Sequence, residues 1–158
     1  MCTLTWCVGS EEVRLFFNRD EQRARPPAQP PSIHHHNGVR FLAPLDPQAG
    51  GTWLSVNEHG VAVAILNWYD AAPASAAPAS ATHHRSRGLL VMDLAASLDR
   101  AGSLLARLFG QDLTRYRPFI LVGLDAHGQG AVCRWDGLQL SAGALHPGDC
   151  PLTTSSFD

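Results

Sequence analysis

Apolar and polar positions alternate from the start of the chain. Cys2, Leu4, Trp6 and Val8 fall on one face of an extended segment, and Thr3, Thr5 and Cys7 on the other. Gly9-Ser10 interrupts this pattern, and Val13, Leu15 and Phe17 resume it over Glu12–Phe17. The two segments read as a β-hairpin. A turn centred near Gly9-Ser10 sets residue 2 opposite residues 17–18. Asn18-Arg19-Asp20-Glu21 therefore returns to the beginning of the chain, and polar side chains collect beside the first residue.

The stretch 22–50 is broken by Arg25-Pro26-Pro27, Pro30-Pro31, Asn37-Gly38 and Pro44. It is expected to be irregular loop with a short extended piece at Val39–Leu42. A loop this long in a small domain is usually functional or mobile. Thr52–Val56 and Val61–Leu66 predict a second hairpin around Asn57-Glu58-His59-Gly60, its second strand apolar enough to be buried on both faces. The same register arithmetic sets Asn67 opposite Gly50–Thr52. Ala71–Ala81 (AAPASAAPASA) is low in complexity and reads as a surface loop. Gly88–Leu98 has helical spacing, and Asp99 is placed to cap a second helix over Arg100–Phe109 that stops at Gly110. Pro118–Leu124 and Ala131–Trp135 predict a third hairpin. Asp136-Gly137 opens another turn, and Leu138–Leu140 predicts a short strand.

This order predicts an α+β fold of antiparallel sheet covered by helices, in one domain over 1–158. It is not the βαβ alternation of a dinucleotide-binding fold, and no G-x-G-x-x-G or G-x-x-x-x-G-K-[ST] occurs. The apolar fraction, 45 % of 158 residues, is enough for a core. A net charge of −2 gives no reason to expect nucleic acid or an anionic membrane surface as partner. No apolar run is long enough for a transmembrane helix, and the first ten residues lack the pattern of a secretory signal. A cytoplasmic location is the expectation. All twelve basic residues are arginine, which removes any lysine nucleophile or Schiff base.

Cys2, Cys7, Cys133 and Cys150 form no C-x-x-C and are expected to be free thiols in a reducing compartment. On a strand, Cys2 and Cys7 point to opposite faces and cannot easily share a metal. His34-His35-His36 lie in the long loop, His83-His84 beside the low-complexity stretch, and His59, His127 and His146 in or near turns. No H-x-x-x-H accompanies them, and no metal site is assigned.

The candidate chemistry is at Cys2. Cysteine is small enough for Met1 to be removed, which would leave a thiol and a free α-amine on one residue. Free thiols are mostly protonated at neutral pH, and the amine can take the proton directly or through water. A nucleophile carrying its own base is one solution to acyl transfer. Arg19 beside it would favour a thiolate. Asp20 could hold the ammonium or orient Arg19, and the amide of Asn67 could donate to an oxyanion. Asn18, Glu21 and Trp68 are the remaining candidates, for binding substrate. The plain structural alternative is a buried thiol on a first strand, followed by a solvated strand end.

The segments MCTLTW, LFFNRDEQRARPP, GGTWLSVNEHGVAVAILNWY, SRGLLV, YRPFILVG and PLTTSSFD occur in this order over most of the chain. As a set they resemble the NRDE family, named for the motif at Asn18-Arg19-Asp20-Glu21 and including transport and Golgi organization protein 2. The resemblance implies the N-terminal-nucleophile hydrolase fold, a sandwich of antiparallel sheets between helical layers. The chain is also distantly similar to conjugated bile salt hydrolases and penicillin V acylases, which begin Met-Cys-Thr. That similarity implies Cys2 as nucleophile, Arg19 as site arginine, Asn67 as oxyanion-hole donor and, more loosely because the spacing differs, Asp20 as site aspartate.

There are departures. Leu152-Thr153-Thr154-Ser155 lacks the second site asparagine of those hydrolases, and the chain ends before their late arginine. A short member with an incomplete sheet is therefore expected. The leading reading is an amidohydrolase-like protein acting on a small amide. The resemblance also implies an alternative, a non-enzymatic carrier of haem or an acyl lipid, with His or Cys as axial ligand for haem. An inactive fragment is the third reading.

Overall fold

The computed structural model describes residues 2–10, 12–71, 84–146 and 152–153. The low-complexity stretch after Ala71, along with His83 and Cys150, lies outside them. A three-stranded antiparallel sheet contains β1 (Thr3–Val8), β2 (Val13–Asn18) and β10 (Leu152–Thr153), in the order β10-β1-β2. A seven-stranded antiparallel sheet runs in chain order through β3 (Gln29–His36), β4 (Val39–Leu45), β5 (Leu54–Asn57), β6 (Ala62–Asn67), β7 (Phe119–Leu124), β8 (Gly130–Trp135) and β9 (Leu140–Ala144). The helices α1 (Arg87–Ala95) and α2 (Leu104–Phe109) lie between β6 and β7 in sequence.

The period-2 pattern of the central strands builds two cores. Val63 and Ile65 of β6, Phe119 and Leu121 of β7, and Cys133 and Trp135 of β8 pack against Leu90, Leu94, Leu104 and Leu108 of the helices. The intervening residues point the other way. Ala64, Leu66, Ile120, Val122 and Val132 pack against Leu4, Trp6 and Leu152 of the small sheet. The layers are thus helices, large sheet, small sheet, and the continuous apolar runs in β6 and β7 follow from burial on both faces.

The first hairpin forms with Thr3 opposite Asn18 and Leu4 opposite Phe17. Its register brings residue 2 level with residue 19 rather than 17–18, because the connection runs beyond Gly9-Ser10. Leu4 and Trp6 are buried as the alternation predicts, but Val8 is exposed at the turn end.

The expected loop over 22–50 is corrected. Most of it, from Gln29 to Leu45, is the hairpin β3–β4, closed by Asn37 (φ 50) and Gly38 (φ 78). Asn-Gly suits a two-residue turn with both residues left-handed. Pro30 and Pro31 are tolerated because β3 is an edge strand and its pairing is irregular between Gln29 and Ser32. His34-His35-His36 accordingly lie on a strand. His34 stacks on Phe41, ring centroids 5.3 Å apart.

Two smaller corrections concern the helices. Ser86, not a glycine-led start, caps α1 by accepting from Gly88 N. Asp99 does not cap the second helix through the backbone. Its carboxylate accepts from Ser103 Oγ at 3.0 Å, and a 3-10 turn over Ala101–Ser103 precedes α2. Strand β9 begins at Leu140, two residues later than the expected start, because Asp136 Oδ1 accepts from Leu138 N and Gln139 N and extends the turn.

Asn57 is a structural staple. It is 4 % exposed, donates from Nδ2 to Ala95 O and Leu98 O, and accepts at Oδ1 from His59 N and Val61 N. It ties the β5–β6 turn to the end of α1. At the other end of α1 two backbones touch. Thr52 N donates to Gly88 O at 3.1 Å, and a Cβ on Gly51 would lie 2.4 Å from the carbonyl carbon of Gly88. Gly51→Ala is therefore expected to cost roughly 2–3 kcal/mol, because backbone must move on both sides. Chemical denaturation would check this, and a loss below about 0.5 kcal/mol would contradict the close packing.

Candidate active site

The first hairpin, the segment after it, the end of β6 and the start of α1 converge on a cavity of about 510 Å³. Cys2, Arg19, Glu21 and Asn67 line it, as do Arg25, Asp46, Trp53, Arg85, Arg87 and Arg117. Cys2 Sγ donates to the backbone carbonyl of Asp20 at 3.7 Å, so the thiol is tied to the NRDE segment itself.

Arg19 is held from three sides. Its Nη2 donates to Glu21 Oε2 and to Asp46 Oδ2, each at 3.0 Å, and its guanidinium lies 4.4 Å from the centre of the Trp53 ring. Arg25 donates to the same oxygen of Asp46. Asp46 in turn is fixed by the turn it opens, accepting at Oδ1 from Gln48 N and Ala49 N. Burial alone would raise the Asp46 carboxyl above its ordinary value. The Arg25 hydrogen bond and the two backbone donors outweigh it, and the net shift is downward. Asp46 is therefore a carboxylate that anchors two arginines. It was not singled out in the sequence, although Asp46-Pro47-Gln48-Ala49-Gly50 carries the signature of an Asx turn.

Asn67 ends β6, where its register partner is Phe119. Its Nδ2 donates to Tyr69 Oη at 2.6 Å, which leaves the second amide proton for the cavity. The Asp20 carboxyl is exposed and held below its ordinary value, first by a hydrogen bond from the amino terminus and then by that terminus's charge. Asn18, Asp20 and Trp68 are not among the residues that line the cavity. Asn18 is exposed at the end of β2, and Trp68 packs beside the core between the two sheets.

His84 is exposed to solvent and also lines the cavity. The sequence reading also passed over Arg85, Arg87 and Arg117. Arg85 Nη1 donates to Asp93 Oδ2 at 2.7 Å and to Tyr116 Oη at 2.6 Å. Arg87, the first residue of α1, donates from Nη1 to Pro118 O at 2.9 Å. Burial, above all, lowers the Arg87 guanidinium below its ordinary value, and the charge of Arg117 adds to this effect. Among the described residues no group of three or more His, Cys, Asp or Glu side chains is arranged to hold a metal ion. No helix among the described residues is long and apolar enough to cross a membrane.

Two solved structures share this architecture. The penicillin V acylase from Agrobacterium tumefaciens superposes with a TM-score of 0.60 at 12 % identity, over 98 % of this chain and 52 % of that one. The C2A mutant of conjugated bile acid hydrolase from Clostridium perfringens superposes with a TM-score of 0.63 at 13 % identity, over 99 % of this chain and 54 % of that one. The fold is that of the N-terminal-nucleophile hydrolases, and the chain spans about half the length of these two proteins. No curated protein matches the sequence. A family model does, over residues 1–154, and the chain belongs to the Transport and Golgi organisation 2 family.

Proposed function

We propose that this chain is an amidohydrolase-like protein that opens the carbon–nitrogen bond of a small amide, with Cys2 as nucleophile. The observation that carries this reading is the shared cavity, in which the Cys2 thiol and the Asn67 amide face one volume. The solved bile acid hydrolase of similar fold is a C2A mutant, so that protein also has a cysteine as its second residue.

Removal of Met1 would place the α-amine on Cys2. The thiol proton passes to that amine, and Sγ attacks the carbonyl carbon to form a C–S bond. The oxyanion accepts the second amide proton of Asn67. The C–N bond then breaks, the departing amine takes the proton back, and water cleaves the thioester to release the acid. Asp20, whose backbone carbonyl accepts from the Cys2 thiol, would steady the ammonium with its carboxylate. Arg19, locked by Asp46, Glu21 and Trp53, forms a rigid wall rather than a mobile acid. A thiol nucleophile suits a reducing, cytoplasmic setting.

A carrier of haem or of an acyl lipid would call for mainly apolar walls. Here Trp53 and Ile65 are outnumbered by arginines and carboxylates, so the cavity favours a small polar substrate.

Intact mass combined with a brief thiol-reactive probe and peptide mapping tests the reading. Loss of Met1 and selective labelling of Cys2 over exposed Cys7 are expected. Cys133 should stay unlabelled, because burial pushes its thiol up to about 11. Retention of Met1, or equal labelling of Cys2 and Cys7, would remove the α-amine base and sink the mechanism.

A further inference from the structure

Five arginines line the cavity against two carboxylates, Glu21 and Asp46. Three of the five have partners. Arg19 and Arg25 share Asp46, and Arg85 pairs with Asp93. Among the described residues, neither Arg87 nor Arg117 forms an ion pair, and they lie close enough for each charge to act on the other.

A purely structural reason for Arg87 is weak. It occupies the first position of α1, where the helix dipole disfavours a cation, and the first turn of α1 holds no acidic residue to offset it. Its bond to Pro118 O uses one of five donors and fixes the guanidinium without neutralising it. A half-buried guanidinium beside a like charge is costly unless an anion completes it. Cys2 and Arg87 line the same cavity, so the two residues address the same volume.

We infer that the substrate of the Cys2 site carries an anionic group, a carboxylate or a phosphate, bound by Arg87 and Arg117 while its amide carbonyl faces Cys2. This rests on the amidohydrolase reading for the carbonyl, but the anion subsite stands or falls separately. A planar guanidinium meets either anion with two parallel hydrogen bonds, and a second arginine fixes the direction of approach. Arg87 and Arg117 are here specificity-determining residues.

The test is binding by calorimetry to the full chain carrying Cys2→Ala, which cannot turn the ligand over. Three probes of similar size are used, namely N-acetylalanine, N-acetylethanolamine phosphate and the uncharged N-acetylalanine methylamide. At least one anion should bind tenfold or more tightly than the neutral amide, and the tighter of the two names the anion class. Raising the salt concentration should weaken that binding. Arg87→Gln should lower the anion's affinity about tenfold or more and leave the neutral amide unchanged. Arg117 is exposed, so Arg117→Gln should fold and gives a second reading of the same loss. Equal affinity for charged and neutral probes, no saturable binding of either anion, or full anion affinity in both arginine variants would overturn the inference. Turnover by wild-type chain is measured alongside. Anion binding without hydrolysis would retire the amidohydrolase reading and leave the subsite standing.

Discussion

Cys2→Ser is expected to lower kcat/KM by on the order of 10³-fold or more, for the amide that wild-type chain cleaves best in a screen of simple N-acyl amides. Serine is small enough to let Met1 leave, so the variant keeps the α-amine and changes only the nucleophile. A hydroxyl is a weaker nucleophile than a thiol at neutral pH, and the barrier to attack rises accordingly. Ground-state affinity for the same amide should stay within about twofold, because serine keeps the size of Cys2 and a donor for the contact that Sγ makes with Asp20 O at 3.7 Å. Steady-state kinetics and calorimetry separate the two quantities. Turnover that survives Cys2→Ser would mean that the chemistry is carried elsewhere.

Asp46→Asn is expected to destabilise the protein by about 3 kcal/mol, the scale set by leaving buried charges without their partner. The Asp46 side chain is 9 % exposed and holds both Arg19 and Arg25 on one oxygen. Asparagine keeps the size and the accepting oxygen but not the charge. Two guanidinium groups then face each other with only Glu21 nearby. The same residue gives a pH dependence. Its folded pKa lies below the ordinary value of 3.8. The unfolded chain therefore binds a proton first as pH falls. The contribution is complete above that ordinary value and is lost as pH drops through the lower folded one. Denaturation midpoints measured from pH 6 down to pH 2 should fall less steeply in Asp46→Asn than in wild type. A variant as stable as wild type, or an unchanged acid limb, would show that the arginines are held by other means.

Much of this molecule was legible in the chain. Strong alternation in 2–8, the apolar runs at Val61–Leu66 and Pro118–Leu124 and the turn residues between them predict the hairpins that form. The first hairpin's register, one residue from that expected, still returns Arg19 to Cys2. The hairpin over 29–45 was harder to read. Pro30-Pro31 argues against a strand in general, but an edge strand needs no donor on its outer side, and Asn37-Gly38 was the stronger signal.

The sequence by itself determined most of the local elements and the place of Cys2 beside Arg19, because period, turn chemistry and chain order act over a few residues. The tertiary structure decided what surrounds Cys2. Asp46 reaches Arg19 across 27 positions, and Arg87 enters the cavity with α1, whose start is set against Gly51 and Thr52. Such contacts follow from the packing of one layer on another. No local pattern encodes them, since each arginine alone reads as an ordinary surface charge until the fold sets it on the cavity wall.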